Sequence, residues 1–148
     1  MSQRWLPVAV LAAGLFAANL TARLVVRLGY PDDALVADGA TLAMLAVVAV
    51  VAAGWAGVGA TRHPVGRWAG DLAVGSLVGL LLSVFVGPFV SDVTPFAFGA
   101  GEFFKQIWQW AGATIVGAAL GYGAVTAAGR DLRSRLLAEQ AGRRRGRR

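Results

Sequence analysis

An all-α fold, a bundle of four membrane-crossing helices, is what this sequence predicts, on three observations. Four apolar runs, 5–26, 39–60, 68–90 and 104–128, each reach the length of a bilayer span. A hydrocarbon core of about 30 Å takes about 20 helical residues at about 1.5 Å each. Only 15% of the residues are charged, against about 25% in a soluble domain. Within the runs the only charges are Arg23, Asp71 and Lys105, all near run ends. The stretch LAMLAVVAVVAA (42–53) is apolar all round and offers no polar face of the kind a soluble amphipathic helix needs. The expected organisation is a transmembrane domain, 1–129, followed by a basic tail, 130–148.

The first run follows Arg4 and continues to Val26, too far for the apolar part of a cleaved signal, so it reads as a retained span. Pro7 falls in its first turn, where a missing N–H costs little, and Pro31 marks its end. The second run offers small residues at Ala49, Ala53 and Gly57. The third carries Gly75, Gly79, Ser83, Gly87 and Ser91 at four-residue spacing, and Pro88 predicts a kink near its end by removing a donor and crowding the carbonyl of Val84. Residues 91–103 (SDVTPFAFGAGEF) are too apolar for an aqueous loop and read as an interfacial segment. The fourth run carries Ala113, Gly117 and Gly121 along one face.

Lipid gives helices little hydrophobic reward for meeting, so close packing depends on small residues. Gly75, Gly79, Gly87, Gly117 and Gly121 are therefore the expected packing residues. They predict that the third and fourth spans pack tightly, within one subunit or between subunits.

Beyond Gly129 the character changes. Residues 130–141 (RDLRSRLLAEQA) place Leu132, Leu136 and Leu137 together, as in a short amphipathic helix on the inner leaflet, with Asp131 and Arg135 a possible ion pair. Arg143, Arg144, Arg145, Arg147 and Arg148 form a polybasic end suited to anionic inner-leaflet lipids.

Lysine and arginine stay on the cytoplasmic side of short loops. With both termini cytoplasmic, eleven basic residues fall inside and only Arg23, Arg27 and Lys105 outside, while Asp32, Asp33, Asp38, Asp92 and Glu102 fall outside. The tail decides this count. The expectation is a multi-pass plasma-membrane protein. Trp5, Trp68 and Tyr122 are expected at the inner headgroup level, and Tyr30, Phe89, Phe104, Trp108 and Trp110 at the outer one.

Polar residues inside a span point to function, because each must be satisfied or paired. Asn19, Arg23 and Arg27 repeat every four residues and line one face. With Ser83 at matching depth they outline a polar cavity open to the outside, with Asp38, Asp92 or Glu102 as counter-charges and Gln106, Gln109 and Thr114 entering from the fourth span.

Other chemistries find little support. The chain has no cysteine and one histidine, His63, in a turn. It carries no metal-ligand spacing and no phosphate-cradling loop after a strand, so no catalytic residue, metal or cofactor is expected. The net charge of +6 sits in the tail and flanking loops rather than on an aromatic-basic surface, which argues against nucleic acid. The expected function is a non-enzymatic membrane scaffold or accessory subunit, associating with itself or another membrane protein. The alternative is a small channel or transporter using the polar cavity.

Overall fold

The computed structural model describes residues 2–30, 33–97 and 99–145, with side chains described for 5–30, 33–97 and 99–140. The arginines 143–148 of the tail therefore lie outside the described side chains. The described residues are almost entirely helical, and no strand occurs among them. In order, the helices are α1 (Ser2–Gly29), α2 (Ala34–Arg62), α3 (Val65–Phe85), α4 (Gly87–Val90), α5 (Gly99–Ala127) and α6 (Leu132–Arg145). The four helices α1, α2, α3 and α5 are long and apolar enough to cross a membrane. The protein is a membrane helical bundle.

Local chemistry sets the helix ends. Asp33 caps α2 by accepting from the N–H groups of Leu35 (3.0 Å) and Val36 (3.1 Å). This starts the helix several residues before its apolar run. At the other end of α2, His63 N–H donates to the Gly59 carbonyl and Pro64 opens α3. The kink expected at Pro88 is a full break: α3 stops at Phe85, and α4 begins after Val86 with Pro88 in its first turn. Helix α5 ends in a Schellman turn. Gly129, at φ +64°, donates to the Thr126 carbonyl, and Arg130 donates to that of Val125. Only glycine adopts that φ without strain.

The spanning helices pair with their second neighbours in sequence. A Cβ on Gly75 would meet the Leu11 side chain at 2.7 Å, and one on Gly79 would meet the Ala12 carbonyl oxygen at 3.3 Å, so α3 runs parallel to α1 in close contact. A Cβ on Gly117 would fall 2.1 Å from the Ala49 carbonyl oxygen, and one on Gly121 would fall 2.0 Å from that of Ala53. Helix α5 thus lies backbone to backbone along α2. Within the bundle the third and fourth spans do not pair closely as expected: their glycine ridges face α1 and α2 instead. Spacing shows that a helix has a flat face, not which helix fills it.

Because α1 and α3 run one way and α2 and α5 the other, the bundle has a tail end and a loop end. The tail end holds the start of α1, the end of α5 and the α2–α3 turn; the loop end holds the end of α1, the start of α2, α4 and residues 91–97. Between the pairs sits a core built from Leu11 and Leu15 of α1, Val48 of α2, Leu72 and Val84 of α3, and Trp110 of α5.

Two tryptophans expected at headgroup level belong to this interior. Trp110 is 1% exposed and Trp68 7%. For Trp110 the reason is polar, whereas the buried Trp68 indole N–H has no hydrogen-bond partner among the described residues. Trp110 Nε1–H donates to Ser76 Oγ at 3.0 Å, Ser76 Oγ lies 3.0 Å from Thr114 Oγ1, and Thr114 donates back to the Trp110 carbonyl at 2.9 Å. With Ser76 as donor to Thr114 the loop closes, and each hydroxyl gives and receives once. Trp68 packs beside Tyr122 at 5.7 Å, its carbonyl accepts from Trp55, and its Cβ lies so near Gly59 that no larger residue fits there.

Candidate functional site: a polar cavity at the loop end

Helices α1 and α2 and the start of α5 diverge at the loop end around a cavity of about 950 Å³. Asn19, Arg23 and Arg27 share one face of α1 because each is one turn from the next, and all three line it. Helix α2 supplies Asp38, Thr41 and Met44; α5 supplies Glu102, Lys105, Gln106 and Gln109. The segment after α4 adds Val93, Thr94 and Pro95 to the lining. That segment is tied down through an aromatic cluster: Phe96 stacks on Phe103 at 4.8 Å, and Phe103 also meets Phe85 and Phe104.

The charges of the cavity are not equivalent. Arg27 forms an ion pair with Asp92 and also donates to the Val90 carbonyl. Lys105 pairs with Glu102 at 3.3 Å. Arg23, one turn deeper on α1 than Arg27, donates through Nε to Asn19 Oδ1 at 2.9 Å and has no carboxylate partner among the described residues. Asn19 is 3% exposed and lies about 15 Å from the Gly29 end of α1 at 1.5 Å per residue. Gly87 is where α4 passes this pair: a Cβ there would lie 2.9 Å from Arg23 Nε and 3.0 Å from Asn19 Oδ1.

Ser83 does not belong to the cavity. It is fully buried, and its hydroxyl has no hydrogen-bond partner. Equal depth was a poor guide, because depth along a helix does not fix which way a side chain faces, and Ser83 is not among the residues lining the cavity. Thr114 is likewise taken up by the Trp110 loop. Thr41 and Met44 on α2 carried no signal in the sequence. A single threonine in an apolar run is ordinary, and only the gap between helices gives these residues a shared surface.

The middle of the bundle beneath the cavity is filled. Leu15, Val48, Ser83 and Trp110 are each buried to 2% exposure or less. At the tail end, α6 touches the bundle lightly and leaves a groove of about 360 Å³ lined by His63, Tyr122, Leu132 and Leu136, among others. Asp131 caps α6, with its carboxylate accepting from the N–H and hydroxyl of Ser134. The ion pair with Arg135 expected from sequence is absent: the carboxylate is engaged at the helix start, and Arg135 meets Asp131 only by its backbone N–H. The Ser134 hydrogen bonds hold the Asp131 carboxyl below the usual carboxylate range. Among the described residues no group of histidine and carboxylate side chains has the arrangement of a metal site. No family model, curated protein sequence or solved structure matches this chain.

Proposed function

We propose that this protein is a non-enzymatic accessory or scaffold subunit that associates with itself or with another membrane protein through α5. The observation carrying this reading is a second small-residue face on that helix. Gly112, Ala119 and Gly123 are all exposed, and a Cβ on either glycine would meet nothing within 4 Å. The step from Gly112 to Gly123 closes about three turns, so they stack on one side. That side is away from α2, which Gly117 and Gly121 already face. Trp108, at 74% exposed, flanks it with Ile115, Val116 and Leu120. Flat glycine surfaces let a second helix approach closely in lipid.

The test is association in native membranes. Cross-linking and purification should give a complex of fixed stoichiometry, and Gly112→Leu with Gly123→Leu should dissolve it while leaving the bundle folded. A chain that is monomeric in its own membrane would end this reading.

A transport reading rests on the loop-end cavity. It calls for solute flux in liposomes that vanishes in Asn19→Ala or Arg23→Ala. The filled bundle centre makes it the second choice.

In this proposal the protein sits in the plasma membrane with both termini cytoplasmic, the side its arginines favour. Arg143, Arg144, Arg145, Arg147 and Arg148 then lie against anionic lipid, each contributing about 1 kcal/mol near such a surface.

A further inference from the structure

We infer that the loop-end cavity is an oxyanion site, with Arg23 as its anchor and Asn19 as the residue that aims it. The ligand is a phosphate or carboxylate group carried by a partly apolar molecule. This stands apart from the choice between docking and transport, since it rests on the cavity alone.

The argument begins with donors. A guanidinium carries five N–H groups in a planar fork that matches an oxyanion bidentately. Arg23 spends only Nε on protein, through Asn19, and Asn19 thereby fixes the plane of the fork. The remaining donors make no hydrogen bond to the described protein, and the side chain lines the cavity. The other two cations of the wall are already answered, Arg27 by Asp92 and Lys105 by Glu102. Asp38 lines the wall too but lies beyond ion-pair distance of Arg23. A guanidinium near the end of a span, without a carboxylate, is completed by water or by an anion.

The rest of the wall describes the ligand's other end. Gln106 and Gln109 offer amide donors that make no hydrogen bond among the described residues, and the lining also includes the apolar Ala40, Leu42, Met44 and Leu45 of α2. Leu42 both lines the cavity and is 67% exposed. A charged head on α1 with an apolar body along α2 suits an amphiphile. The same guanidinium chemistry also serves a free phosphate ion.

Titration of the purified full-length chain in uncharged detergent separates these cases. Three probes are used: dioctanoyl-phosphatidylglycerol, the uncharged dioctanoylglycerol, and inorganic phosphate. The phosphatidylglycerol should bind about tenfold or more tighter than dioctanoylglycerol, the scale of a charge-assisted hydrogen bond. Arg23→Gln should abolish that preference and Arg23→Lys should keep part of it. Inorganic phosphate binding as tightly as the lipid, and displacing it, identifies a soluble oxyanion as the source; lipid alone binding tightly identifies a headgroup. Equal binding of the charged and uncharged lipids, or no binding of either anion, overturns the inference. So does a preference that persists in Arg23→Gln. The comparison of probes on the unaltered protein needs no variant, so a misfolded Arg23→Gln would not shield the inference.

Discussion

Two serines on α3 sit in the same low-polarity interior with opposite hydrogen-bond status. Ser76 closes the loop with Trp110 and Thr114, whereas Ser83 is buried with an unanswered hydroxyl. Ser76→Ala should orphan the Trp110 N–H and cost about 1–3 kcal/mol. Ser83→Ala should be neutral or stabilising, since it removes a desolvated group that makes no bond. Reversible unfolding in mixed micelles reads both. A loss beyond about 1 kcal/mol in Ser83→Ala would mean that its hydroxyl has a partner after all. The glycines of α5 divide similarly. Gly117→Ala drives a methyl into the Ala49 backbone, which cannot swing away, and should cost about 1–3 kcal/mol of overpacking. Gly112→Ala meets open space and should be neutral or slightly stabilising in the same assay, because alanine is the better helix former.

At the scale of elements, helix existence was legible in the sequence and helix partnership was not. Apolar length alone dictates that 5–26, 39–60, 68–90 and 104–128 form helices, because backbone polar groups have no other partner in lipid. What small residues at four-residue spacing cannot carry is the identity of the neighbour. Gly75 and Gly117 look equivalent on paper, yet one receives Leu11 and the other the backbone of Ala49. Aromatic placement was partly hidden for a related reason. Trp108 and Trp110 are two residues apart and point to opposite sides, one exposed and one buried against Ser76 of a different helix. For the cavity, the Asn19–Arg23–Arg27 face was legible from helical period, but its far wall needed the tertiary gap. Helix α6 gives the element-scale test. The Asp131 carboxyl is held below its ordinary value, so its capping contribution is complete above the unfolded carboxylate pKa and is lost as pH falls through the lower folded value. Asp131→Ala should speed amide exchange at the start of α6 at neutral pH. Below the folded pKa, wild type and variant should exchange alike.

At the scale of the whole molecule, the proposed orientation has a direct assay, because a chain without cysteine needs no background removed. Thr94→Cys lies on the exposed loop-end segment, and Gly66→Cys lies on an exposed turn of α3 at the tail end with nothing within 4 Å of its Cβ. A membrane-impermeant maleimide should label Thr94→Cys in intact cells, and Gly66→Cys only after permeabilisation. The reverse pattern would invert the topology and turn the cavity toward the cytoplasm.

The alternation of partners along the chain, α1 with α3 and α2 with α5, also bears on how the molecule tolerates being cut. Cleavage between His63 and Pro64 yields two fragments, each holding one member of both parallel pairs and neither holding a complete pair. Every close glycine seam then runs between the fragments. Co-expressed halves should therefore find each other and co-purify without a covalent link, and Gly117→Leu in the second half should weaken that reunion. A hairpin-built bundle, with each helix zipped to the next in sequence, would lack that capacity for self-repair.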